Sequence, residues 1–202
     1  MKYISRFLST VFAPLLVPTY GMMMASFLSI LSILSARVLW TSIAMVFILT
    51  CVVPAAGIYT LHRLGYIKDP GLNDRSERTV PYVIATVGYI ATALILWRIS
   101  APLWLVMFMV GATVAVVVNI IVTRWWKISA HAAAVGGLVA LVMRITALHQ
   151  AVYDMNVWIS VSILVAGAVM TARVYLGRHT LQQVLAGAAN AFLCVWFFSM
   201  IS

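Results

Sequence analysis

Two histidines and a few cations carry the chemistry that this sequence can do. In the stretch ARVYLGRHTLQQVLAG (172–187), His179 comes six positions after Arg173, and Gln183 four positions after His179. The four-residue spacing puts His179 and Gln183 on one helical face. Arginines hold phosphoryl oxygens by charge-assisted hydrogen bonds, and a neutral imidazole can attack phosphorus. The stretch TRWWKISAH (123–131) places Ser129 as a helix N-cap, with Ala130 and His131 in the first turn. Free N–H groups there favour an anion, and His131 can protonate a leaving oxygen. A third stretch, HRLGYIKDPGLNDRSERTVP (62–81), adds Lys68, Arg75 and Arg78.

Each piece alone has a plainer explanation. His179 fits an ordinary interface histidine, Ser129 a simple cap, and Trp125 with Trp126 an aromatic belt. The 62–81 stretch holds Asp69, Asp74 and Glu77, three of the four acids in the chain, and fits a solvated linker. The conjunction is what points to a phosphate: two histidines, a serine and several cations, gathered in three connections of a chain with few polar residues.

The elements that must position them are membrane helices. Of 202 residues, 64% are hydrophobic and 8% charged, and the mean hydropathy is +1.08. Soluble domains carry about 25% charged residues, so this chain cannot cover a water-facing surface, and a large soluble catalytic domain is excluded. Seven apolar segments stand out, at 8–35, 38–62, 80–97, 102–123, 130–148, 156–176 and 180–201. The first contains Pro14, Pro18 and Gly21, which predicts a kink or a partly re-entrant path. Its basic start resembles a signal peptide, but its long apolar run reads as a retained span or anchor. The expected fold is all-α: a single integral membrane domain (1–202) of six to seven transmembrane helices, with motif connections at 62–81, 123–131 and 172–180. Cys51 and Cys194 lie in apolar stretches and suit neither a disulfide framework nor a metal site.

With seven crossings, the N-terminus and the three charged connections share one side. That side carries Lys2, Arg6, Arg63, Lys68, Arg75, Arg78, Arg124, Lys127, Arg173 and Arg178, against Arg37, Arg98 and Arg144 on the other. The positive-inside rule makes it cytoplasmic; binding of an anion is the other reading of the same excess. The net charge of +9 fits lipid headgroups or phosphate-bearing substrates, and no basic patch on a soluble domain suggests nucleic acid. The expected location is a bacterial inner membrane.

The three stretches, in order, resemble the motifs of the type 2 phosphatidic acid phosphatase superfamily, whose pattern is K-x6-R-P, then P-S-G-H, then S-R-x5-H-x3-D. Arg173 and His179 fit R-x5-H, and Ser129-Ala130-His131 is similar to S-G-H with the glycine replaced. Lys68 and Arg75 fit K-x6-R, with Ser76 at the proline position; Arg78, with Pro81 nearby, is a competing choice. The resemblance covers 68–187. It implies that His179 attacks phosphorus to form a phosphohistidine and that His131 protonates the leaving group. Lys68, Arg75 or Arg78, Arg173, Ser129 and the Ala130 N–H would hold the phosphoryl oxygens, with no metal or other cofactor. The implied partners are a lipid phosphate or diphosphate substrate and the surrounding membrane lipids. The sequence departs from the pattern at Gln183, where an aspartate is expected, and at Ala172 and Ala130. A glutamine still accepts a hydrogen bond from imidazole Nδ1–H but supplies no full negative charge.

Two other classes compete. One is a non-catalytic phospholipid-binding or transport protein on the same scaffold, favoured by Gln183. The other is a prenyl-transfer enzyme, suggested by LNDRSERTVPY, although such enzymes need two acidic clusters to hold magnesium diphosphate. A channel or proton carrier fits less well, because the segment centres are nearly free of ionisable residues.

Overall fold

A computed structural model describes residues 1–68 and 77–201. They form an all-helical bundle, with no extended pairing among the described residues beyond an isolated bridge between Ser29 and Ala151.

The first apolar segment is not one helix. It forms α1 (Lys2–Val11) and α2 (Val17–Leu28). Pro14 lies in the break and Pro18 in the first turn of α2, where a missing N–H costs nothing. The opened backbone is satisfied by short turns, Leu16 N–H to the Ala13 carbonyl (2.9 Å) and Thr19 N–H to the Leu16 carbonyl (3.0 Å). Two tyrosine hydroxyls donate to it as well: Tyr20 to the Val11 carbonyl (2.9 Å) and Tyr89 to that of Pro14 (3.4 Å). Irregular backbone at membrane depth is tolerated when protein buries it in this way.

Six further helical stretches are long and apolar enough to cross a membrane, and the protein is an integral membrane protein. The first, Ala36–Arg63, joins α3 (Ala36–Phe47) to α4 (Val53–Arg63) through a π turn at Ile48–Val52. Pro54 follows that turn; it lacks the N–H that would close the ladder one turn back, and the widened turn absorbs the mismatch. Then come α5 (Thr79–Arg98), α6 (Leu103–Thr123), α7 (Ala130–Ala147), α8 (Asn156–Tyr175) and α9 (Leu181–Phe198).

The ends of α7 show how the N-terminal part runs. The Ser9 carbonyl meets His131 at the start of α7, while Ile30 N–H donates to the Gln150 carbonyl just beyond its end. Residues 9–30 therefore traverse the bundle as a broken crossing. The seven expected segments become six continuous spans and this one interrupted path.

α7 is the most deeply buried span and lies at the centre of the bundle. Alanines and glycines along it let neighbours approach closely, the usual basis of helix packing where hydrophobic drive is absent. Gly136 faces the backbone of Ala188 on α9, and Gly187 on α9 faces the Ser129 carbonyl; a Cβ at either would overlap backbone. This contact fixes the start of α9 against the start of α7, and so His179 relative to His131. Apolar side chains such as Leu94, Leu164 and Phe197 face outward, as a lipid-solvated surface requires.

Candidate functional site

A cavity of about 300 Å³ opens at the bundle end that carries the α6–α7 and α8–α9 connections. Its polar end is made by Arg78, His131, Arg173 and His179. These side chains come from the residue preceding α5, the first turn of α7, the last turn of α8 and the residue before the N-cap of α9. The deeper wall is apolar and formed mostly by small residues, together with the Pro14–Pro18 break between α1 and α2.

His179 is buried, and its local setting is defined by a capping box. Thr180 caps α9 by accepting from Gln183 N–H (3.4 Å), and Gln183 Oε1 accepts from Thr180 N–H (3.2 Å). That second bond identifies the Gln183 atom as the oxygen. The same oxygen lies 3.1 Å from His179 Nδ1, so Nδ1 carries the proton and Nε2 the lone pair. Burial, then the positive charge of Arg78, pulls the His179 pKa down to about 4; the Gln183 bond opposes this, and Arg173 and Lys127 add to the lowering. The imidazole is neutral throughout the neutral pH range, as a nucleophile must be.

His131 is held differently. Its Nε2 lies 3.0 Å from the Ser9 carbonyl, an acceptor only, so Nε2 is the protonated nitrogen and Nδ1 remains for a ligand. Arg78 is buried, and its guanidinium donates to the Ile128 carbonyl (3.2 Å). Arg173 is half-buried, and its Nε is buried with no hydrogen-bond partner among the described residues. A buried guanidinium N–H that meets no acceptor is costly, and an anion in the cavity would satisfy it.

The structure brings together His179, Gln183, His131, Ala130, Arg173 and Arg78. Ala130 lines the cavity, while Ser129 is fully buried behind it and its hydroxyl accepts the Ala132 N–H (3.4 Å) as a cap. Lys68 is exposed and does not line the cavity; its backbone N–H donates to the Glu77 carboxylate (3.2 Å). Arg75 lies outside the described residues, as do Asp69 and Asp74 of the acidic stretch. Arg78, the other candidate first-motif arginine, lines the cavity wall.

Sequence reasoning missed three contributors. Tyr82, one turn after Arg78, lines the cavity within electrostatic reach of Arg78 and Arg173. Lys127 acts on His179 from the α6–α7 connection. Asn119 also lines the cavity, and its signal was visible: it is the one amide in the 21-residue apolar run of α6. Among the described residues, no group of three His, Cys, Asp or Glu side chains is placed to hold a metal ion. Comparison with known proteins finds no matching family model, curated protein or solved structure.

Proposed function

We propose that this chain is a phosphatase of a bacterial inner membrane that hydrolyses a lipid phosphate or diphosphate through a phosphohistidine. One observation carries the reading: His179, oriented by Gln183, lines the same cavity as Arg78 and an Arg173 whose Nε has no partner among the described residues. The apolar depth behind that polar end suits a lipid tail. The order and spacing of the residues also resemble the type 2 phosphatidic acid phosphatases.

In the proposed reaction, His179 Nε2 attacks phosphorus and the P–O bond to the lipid breaks. Gln183 Oε1 holds the Nδ1 proton and orients the ring through both steps. Arg78, Arg173 and the first-turn N–H groups of α7 hold the phosphoryl oxygens as charge shifts onto them, and one such preorganised donor is typically worth a factor of about 10²–10³ in rate. His131 protonates the leaving oxygen from Nδ1. That step needs the doubly protonated ring, which a neighbouring phosphoryl group favours by its negative charge. Water then cleaves the N–P bond, releasing phosphate and restoring His179.

The test is phosphate release from detergent-solubilised protein with EDTA present, over phosphatidic acid and lipid diphosphates. The expected result is turnover that His179→Ala abolishes. Equal background release from wild type and His179→Ala would refute the phosphatase reading and favour a lipid-binding protein on the same scaffold, the alternative that Gln183 supports.

A further inference from the structure

Asn119 is the polar residue that α6 contributes to the cavity wall, and it is only 3% exposed. Hydrogen bonds fix the orientation of its amide. Asn190 on α9 donates from Nδ2 to the Ala115 carbonyl (3.0 Å), which identifies that atom as nitrogen. The same Nδ2 donates to Asn119 Oδ1 (3.1 Å), and Asn190 Oδ1 accepts from the Cys194 thiol (3.5 Å). The Asn119 oxygen is thus engaged, and its Nδ2 has no acceptor among the described residues. Interhelical bonding accounts for the oxygen. It leaves an amide donor unmet in a cavity wall within the membrane, where an unmet N–H is costly.

Helix packing sets this donor at the level of the α7 N-terminus. Along the antiparallel pair α6 and α9, Gly111 lies against Cys194 and Val195, and Ala115 receives its bond from Asn190. The next turn of α6 brings Asn119 level with Gly187, which faces the Ser129 carbonyl. One turn earlier on α9, the Gln183 carbonyl accepts from Ser129 N–H (3.3 Å). The Ser129 oxygens take the N–H groups of Ala132 (3.4 Å) and Ala133 (3.0 Å). Those of Ala130 and His131 have no acceptor among the described residues, and both residues line the cavity.

Three kinds of unmet donor therefore meet in the wall of one cavity: the Asn119 amide, two first-turn N–H groups of α7 and the Arg173 Nε. Such a set matches a tetrahedral oxyanion, whose several oxygens accept hydrogen bonds from different directions. We propose that Asn119 is a further catalytic residue, which donates from Nδ2 to a phosphoryl oxygen of the substrate. The inference rests on the phosphatase reading and adds to it a donor on α6, a helix that carries none of the residues matched to the family's motifs. The amide is neutral. It supplies a hydrogen bond without adding to the positive charge that Arg78, Arg173 and Lys127 already set on His179.

Asn119→Asp separates this role from a purely interhelical one. A carboxylate still accepts from Asn190 Nδ2, but it has no N–H to donate and repels a phosphoryl group. Asn119→Leu removes both bonds. With phosphatidic acid in detergent, Asn119→Asp should stay folded and lose at least about 10²-fold in kcat/KM, the worth of one preorganised donor. Asn119→Leu should lose comparable activity and melt at a lower temperature. Either variant, folded and turning over like wild type, overturns the proposal. Tungstate, a tetrahedral oxyanion, gives a readout that needs no turnover. It should raise the melting temperature of wild type and of His179→Ala, and that of Asn119→Asp far less. Equal shifts in wild type and Asn119→Asp overturn the proposal. If wild type releases no phosphate but tungstate protects it and not Asn119→Asp, the phosphatase reading fails and Asn119 remains an oxyanion-binding residue. If wild type neither releases phosphate nor gains protection from tungstate, both readings fail.

Discussion

Two arginines, Arg144 buried and Arg173 half-buried, lie at opposite ends of the bundle and are used in opposite ways. Arg144, near the end of α7, donates from Nε to the Ser199 hydroxyl (3.1 Å) and from a terminal nitrogen to the Ser199 carbonyl (2.9 Å), and its guanidinium lies 5.1 Å from the Trp196 ring centroid. Arg173, at the end of α8, lines the cavity with its Nε unpaired among the described residues. The first ties α7 to the end of α9 by giving its Nε and a terminal nitrogen to protein acceptors and its face to an aromatic ring. The second keeps a donor in reserve. A buried cation is costly in a membrane, so whether its donors are already spent separates a structural arginine from a ligand-binding one.

Exchanging each arginine for a neutral residue should have the largest effects, and opposite ones at the two ends. Arg173→Gln should lower kcat/KM for phosphate release by about 10²–10³-fold, the cost of one preorganised donor, with little change of melting temperature in detergent. Arg144→Gln should do the reverse. Leaving Ser199 short of its partner should cost about 1–3 kcal/mol of stability, read as a lower melting temperature, with kcat of the folded fraction unchanged. If Arg144→Gln lost turnover at unchanged stability, the division between the two ends would be wrong.

Gln183 sharpens the site end further. Gln183→Glu keeps the capping box and adds a full negative charge to the Nδ1 proton of His179. Turnover should rise about tenfold, equivalent to about one pKa unit of added stabilisation. Gln183→Ala should slow hydrolysis beyond what its loss of helix capping explains; equal rates for Gln183→Ala and wild type would remove Gln183 from the mechanism.

The smaller effects are in pH. Burial and Arg78 hold the His179 pKa near 4, so its acid limb in kcat/KM should fall near pH 4, well below the ordinary imidazole value of about 6.5. Gln183→Glu should move that limb upward. A limb that stays near 6.5 in wild type would mean that His179 is solvated. The linked stability effect has the same origin. As pH falls from about 6.5 to 4, the unfolded chain takes up this proton and the folded one does not, so His179 contributes a loss of stability across that window.

Membrane residence, the helical class and the local half of the site follow from residue types and short spacings alone. Apolar runs of span length and a shortage of charge leave no other solvent for the surface. His179 and Gln183 were legible because one helix start fixes their relation: four residues apart, any folded form of that turn places them together. Ser129 was legible as a cap for the same reason, and Pro14 as a break in the first crossing.

The other half depends on separate helices meeting. Spacing along the chain could not show that Arg78, before α5, meets His131 and His179 in one cavity wall. Nor could spacing show that Lys68 stays exposed, or that residues 9–30 cross the bundle in two pieces with the Ser9 carbonyl on His131. Asn119 was visible as a lone amide in α6, but its orientation is set by Asn190, 71 residues away. Arg144 and Arg173 look alike in sequence, each in the last turn of an apolar helix. What distinguishes them is the acceptor that packing supplies to one and withholds from the other.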